Sequence, residues 1–389
     1  MRLKSCLVTF GIAAQFLTAA CAEEKSAIAR SIQNLTADQS GSRSAAAEAL
    51  GKAGSSASEA VPALLKILQS DADTVVRNQA AWALGKIKGL LDQTIPGLIS
   101  ALDDKEWTVR HNATLALTWI GKPALPALKA ALSSKSAMQQ VYGARALSII
   151  DPSLAAEAIP VLMELLRHEL PGVKKIAAAA IAPLGEAASS AVPGLVAMLD
   201  DKDAETRGYA IKALAQIGRS SESALPRLIK LLKEDSDKIN RFTCTGALGL
   251  LGKGNPGAIE ALVGAFNDKD GKVRFAAAKA LGELGEPAVP ALLETLKSNA
   301  GELRSLAVSA LGAMGPKAVT AAHSLVPCLD DADEHLRVIA ADALRSIGVA
   351  DDDVKKALEK VRDKAAPGSP ARAHFDNALT TLAANKQSR

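Results

Sequence analysis

The sequence predicts an all-α fold, a solenoid of about eleven helix pairs, on three regularities. An alanine is followed at once by leucine or isoleucine eleven times, from Ala49-Leu50 through Ala280-Leu281 to Ala378-Leu379, at intervals of 30 to 35 residues. Six residues before each of these alanines stands a basic residue: Arg43, Arg77, Arg110, Lys174, Arg207, Arg241, Arg274, Arg304, Arg337 and Arg372, with Gln140 as the one departure. Eleven residues after the basic position a glycine recurs, as at Gly54, Gly121, Gly218 and Gly285. A fixed period in this range marks a structure in which each repeat buries its apolar face only by stacking on the next.

Each repeat opens with a short apolar run that usually carries proline at its start, as in Val61-Pro62-Ala63-Leu64-Leu65 and Leu225-Pro226-Arg227-Leu228-Ile229. Proline in the first helical turn forfeits no hydrogen bond that the helix could have made, so these runs read as a first helix, A. An acidic turn follows, as in Asp71-Ala72-Asp73, Asp235-Ser236-Asp237 and Asp268-Lys269-Asp270. Its last aspartate is placed to cap a second helix, B. Helix B carries apolar residues at helical spacing, such as Ala277, Ala280, Leu281 and Leu284, and stops at the glycine. No segment alternates apolar and polar with the period of a strand.

Packing explains the alanine column. A small side chain lets neighbouring helices approach, and the adjacent leucine fills the space between layers. The arginine column lies beside the aspartates of neighbouring layers, and the two are expected to pair as a buried ladder, with Arg207 and Arg274 as equivalent rungs.

The run Val273-Arg274-Phe275-Ala276-Ala277-Ala278-Lys279-Ala280-Leu281-Gly282-Glu283-Leu284-Gly285 resembles a HEAT repeat, of the short type named after phycobilisome lyases. The resemblance spans residues of about 27 to 384 and implies a right-handed superhelix used mostly for protein contacts. It also implies two enzymatic relatives, bilin lyases and iron-dependent hydroxylases. The basic positions are separated by a short step of 30 residues twice, five repeats apart. Two duplicated five-repeat blocks, around 43–206 and 207–372, are therefore expected, with chance agreement among similar repeats as the alternative.

Residues 1–22 read as a separate object. Met1-Arg2-Leu3-Lys4 is basic, Cys6 to Leu17 is largely apolar, and Ala20-Cys21-Ala22 supplies small residues before Glu23. This is the pattern of a signal peptide cleaved after Ala22, which leaves a solenoid over 23–389 in an exported, periplasmic or extracellular protein. The alternative is a lipoprotein signal with Cys21 carrying the lipid. No other segment reads as a membrane span.

Charge bounds the partners. The chain has 46 basic and 42 acidic residues, and loss of Arg2 and Lys4 would leave a net of +2. So even a balance argues against nucleic acid, which calls for a basic stripe. Cys244 and Cys328 lie three layers apart, roughly 30 Å at ~10 Å per layer, too far for a disulfide.

The chemical constellations are thin. The Asp-x-Asp turns lack the glycine and glutamate of a calcium loop. His168-Glu169 is the single dipeptide of the kind that holds iron in the hydroxylases, Glu334-His335 is reversed, and His111, His323 and His374 are scattered. A metal site needs converging ligands. No catalytic residue, cofactor or metal is expected. The uneven feature is aromatic: Trp82, His111, Trp119, Tyr142 and Arg145 fall on solvent positions of helix B in three consecutive repeats. They are expected to form one exposed patch on the concave side, unmatched elsewhere in the chain, because Trp, Tyr and Arg dominate binding hot spots. The alternative is that the rings fill gaps in an alanine-rich stack. The sequence reads as a non-enzymatic scaffold for a protein partner.

Overall fold

The computed structural model describes residues 22–387. Among them there is no strand, and helices alternate in the predicted order. Helix B of the eleven repeats runs over Ser40–Ala53, Thr74–Ile87, Trp107–Ile120, Ala137–Ile150, Pro171–Ile181, Ala204–Ile217, Lys238–Leu251, Gly271–Leu284, Gly301–Met314, Glu334–Ile347 and Pro370–Gln387. The chain forms two compact bodies that divide between Leu184 and Gly185. Within each body helix B packs on helix B of the next repeat and on its own helix A, the arrangement of an α-solenoid.

The local signals act as their chemistry requires. Asp73, Asp203, Asp237, Asp270 and Asp333 each accept a hydrogen bond from a backbone N–H in the first turn of helix B. That satisfies donors which the helix leaves unpaired. Gly121, Gly218 and Gly285 end their helices at φ between 75° and 81°, where a side chain would be strained. Repeat two has no glycine at this place, so Lys88 takes φ 52° instead. In repeat seven the expected stop, Gly252, keeps φ −85°, and the positive φ falls on Gly254.

The core is made of thin layers. From Ala83 to Ala378 the alanine column is buried, and its leucine and isoleucine neighbours from Leu50 to Leu344 are inaccessible. Ala49, in the first described repeat, is exposed. Close approach is secured by a second small column, two residues after the alanine, which the sequence reading missed. A Cβ on Gly51, Gly85, Gly249 or Gly312 would lie 2.6–3.2 Å from the Cα of Ala83, Ala116, Ala280 or Ala343 in the next repeat. Backbones meet there with no room for a methyl group.

One run, Pro171–Met198, is long and apolar enough by composition to cross a bilayer. It is α-helical only over Pro171–Ile181 and Val192–Met198, with Gly185 at φ 55° between them. Each piece is far short of the ~20 residues a span needs. The expected signal segment, Cys21 included, lies outside the described residues except for Ala22, which opens a helix.

Candidate functional site

The acidic turns Asp71-Ala72-Asp73, Asp235-Ser236-Asp237 and Asp268-Lys269-Asp270 each do two jobs. The second aspartate caps helix B, and the first receives an arginine from the preceding repeat. Arg43, Arg77, Arg207 and Arg241 grip Asp71, Asp104, Asp235 and Asp268 through Nε and Nη2, at 2.6–2.9 Å. In each, Nη1 donates to two backbone carbonyls of its own turn, such as Asp71 and Ala72 for Arg77. The receiving carboxylate also accepts the N–H two residues on. Such paired, charge-assisted bonds are the strong class. The Arg43 guanidinium holds Asp71 below the ordinary carboxylate range. For Asp104, Asp235 and Asp268 burial pushes the pKa up, but the arginine bonds outweigh it and the net shift is downward.

The remaining rungs differ. Arg304 pairs with Asp331 through Nη1. Lys174 is half-buried in the same column. Arg337 and Arg372 bond to the carbonyls of their own turns, and Ala366 stands where the last repeat would need an aspartate. Arg274 is not the equal of Arg207. Ser298 occupies the aspartate position, and Glu302, a largely exposed side chain in the first turn of the helix, accepts from its Nε at 2.7 Å.

Repeats four and five interrupt the ladder. Ser134 replaces the aspartate, and Gln140, in the arginine column, donates to the Ser134 carbonyl at 2.8 Å. His168, the histidine of the His-Glu dipeptide, occupies the aspartate column of repeat five. Its Nδ1 accepts from the Leu170 N–H, the turn-closing bond that Asp71 makes elsewhere.

The predicted aromatic patch is corrected in one member and divided in its geometry. Tyr142 is 4% exposed, buried under Arg110, whose guanidinium carbon lies 5.5 Å from the ring centre. The same register is half-exposed in neighbouring repeats, as at Asn112 and Tyr209, so it is the cover of Arg110 that buries this ring. Trp82 and Trp119 are half-buried over Gly51 and Gly85, whose missing side chains make room for the rings. Between them stands Lys86, its Nζ 3.9 Å from the Trp119 ring and 5.9 Å from Trp82. Part of each ring is therefore filler for glycine gaps. His111 and Arg145 belong to a second group. His111 lies 6.2 Å from the ring of Trp107, and its pKa is lowered by burial and by the Arg145 charge. Trp107, outside the predicted set, is 62% exposed.

A cluster that the sequence reading excluded lies in the second body. Phe242 is 47% exposed, Leu250 63% and Phe275 66%, all on helix B of repeats seven and eight. Phe242 and Leu250 line a groove of about 400 Å³ with Gly246, Ala276, Lys212 and Lys279. The signal was present in the sequence. Both phenylalanines stand one residue after the basic column, the register used to place His111.

Cys244 and Cys328 are buried and unbridged, and burial raises both thiols. Deep burial suits Cys244 to a small core side chain.

The chain matches the family of HEAT repeats over residues 12–85, 61–147, 95–182, 159–249 and 225–312. It belongs to the HEAT-repeat family. No curated protein matches it. Among solved structures, a Kap121p mutant is similar over 92% of this chain and 45% of its own, at 16% identity and a TM-score of 0.64. Kap121p bound to Ste12p gives 15% identity and 0.63 over the same shares. Kap95p, in a structure with RanGDP, gives 14% identity and 0.53 over 92% and 52%. The chain spans about half the length of these proteins, and at such identities the likeness is one of fold.

Proposed function

We propose that this HEAT-repeat solenoid is a non-catalytic scaffold that binds a protein partner along its helix-B face. The observation that carries the reading is the trio of Phe242, Leu250 and Phe275, large apolar side chains left in water beside a groove. Exposed apolar clusters of this kind mark contact surfaces. The solved relatives point the same way, since Kap121p is seen with Ste12p and with the extreme C-terminus of Cdc14p. In the first body, Trp82 and Trp119 offer partly exposed edges of their own.

The N-terminal pattern supports export, so the partner is sought in the cell envelope. Mass spectrometry of secreted protein is expected to find an unmodified N-terminus at Glu23; a lipid on Cys21 would instead make this an anchored scaffold.

The surface is tested by the double variant Phe242→Ser, Phe275→Ser. Both rings are exposed, so folding stability should change by no more than about 0.5 kcal/mol per site. Proteins captured from an envelope fraction by the parent should be lost on the variant, with affinity reduced at least tenfold, about 1.4 kcal/mol. An unchanged captured set would sink the reading.

A further inference from the structure

Arg110 is an arginine of the ladder without a carboxylate. Its Nη1 donates to the carbonyls of Asp104 at 2.6 Å and Lys105 at 2.9 Å, the same two bonds that orient Arg77, Arg207 and Arg241. The guanidinium leaves its turn as theirs do and reaches the next repeat, where its carbon lies 5.5 Å from the centre of the Tyr142 ring. There Arg43, Arg77, Arg207 and Arg241 find an aspartate, and repeat four supplies Ser134, whose hydroxyl donates to Gln139 instead. The Nε of Arg110 is buried with no hydrogen-bond partner, and among the described residues no ion pair reaches Arg110 or Arg145.

The chain shows how such a gap is otherwise closed. Repeat nine also has serine at the aspartate position, and Glu302 reaches over to Arg274. The residue at the place of Glu302 in repeat four is Met138. The same loss is compensated in one repeat and left open in the other.

We infer that the open rung at Arg110 takes a carboxylate from outside the chain, the aspartate or glutamate side chain of a protein partner. The partner is acidic because two guanidinium groups, Arg110 and Arg145, stand unpaired on facing helices B, and the one histidine beside them is held toward its neutral form. It carries an apolar residue next to the acid because Trp107, one turn before Arg110 on the same helix, presents an exposed ring. The carboxylate meets the guanidinium at Nη2, since Nη1 is taken by the turn carbonyls and Nε is buried. In taking its ligand to be a protein segment, the inference rests on the scaffold reading.

Two substitutions close the rung from within. Ser134→Asp restores the missing acid, and Met138→Glu copies the reach of Glu302. The probe is the capped peptide acetyl-Ala-Leu-Asp-Leu-Ala-amide, titrated by NMR against its Asn isostere and against the Asn peptide with a free C-terminal carboxylate. The parent should prefer the Asp peptide by about tenfold. In both closed variants the preference should fall below about twofold, while the melting temperature rises and shows that each folds with its rung made. No preference in the parent, or a preference that survives both substitutions, overturns the inference. Equal binding of the free-carboxylate peptide overturns the side-chain source. Phe242 and Phe275 are untouched in these variants, so failure here and failure of the capture experiment are told apart.

Discussion

Arg241 and Arg110 hold the same position in their repeats, and the contrast between them shows what the ladder is for. Arg241 is buried, grips Asp268 with two bonds and its own turn with two more, and so ties three segments of chain from two repeats. Arg110 makes the bonds to its own turn and then meets a serine. The bonds to the turn are local and survive any change in the neighbour. The bond to the carboxylate is the one that couples repeats. A solenoid's stability is close to a sum of such nearest-neighbour terms, so a missing rung weakens one interface without undoing the others.

The largest expected effect sharpens this contrast. Arg241→Ala strips a buried charge from Asp268 and should cost roughly 3–5 kcal/mol in denaturant unfolding at pH 7. A loss no larger than that of Arg110→Ala, which breaks no ion pair, would mean that the carboxylate contributes nothing.

The same pair predicts an acid dependence. The pKa of Asp268 is lowered in the folded protein, so its contribution to stability is present above the unfolded value, about 4, and is lost as pH falls through the depressed folded value. The gap between parent and Arg241→Ala should hold from pH 7 to 5 and narrow below about 4. A gap that widens in acid would contradict the assignment.

The smallest effect is expected at Arg274. Its partner Glu302 lies mostly in water, so Arg274→Ala should cost no more than about 1 kcal/mol. A cost equal to that of Arg241→Ala would make burial of the carboxylate irrelevant and return Arg274 to equivalence with Arg207.

The aromatic residues teach a related lesson. Trp82 and Trp119 were legible as large side chains on helix B, and their partial burial was not, because it depends on the absence of a Cβ at Gly51 and Gly85 one repeat earlier. Tyr142 was misplaced for the same kind of reason. The unpaired Arg110 covers its ring, and a register counted along one helix does not see the neighbour. Phe242 and Phe275 share the register of His111, one residue after the basic column, and their exposure was legible from it.

The sequence by itself determined the repeat, its two helices, the capping aspartates and most glycine stops, because all of these are set by interactions within about a dozen residues. It also made the ladder's two columns visible, since a period of some thirty residues brings like positions together in space. Only the tertiary structure decided which rungs close, which aromatic rings stay in water and where backbones touch. Those outcomes depend on pairs of residues one repeat apart, where a serine in place of an aspartate, or a glutamate one turn later, changes the partner without disturbing the helix that carries it.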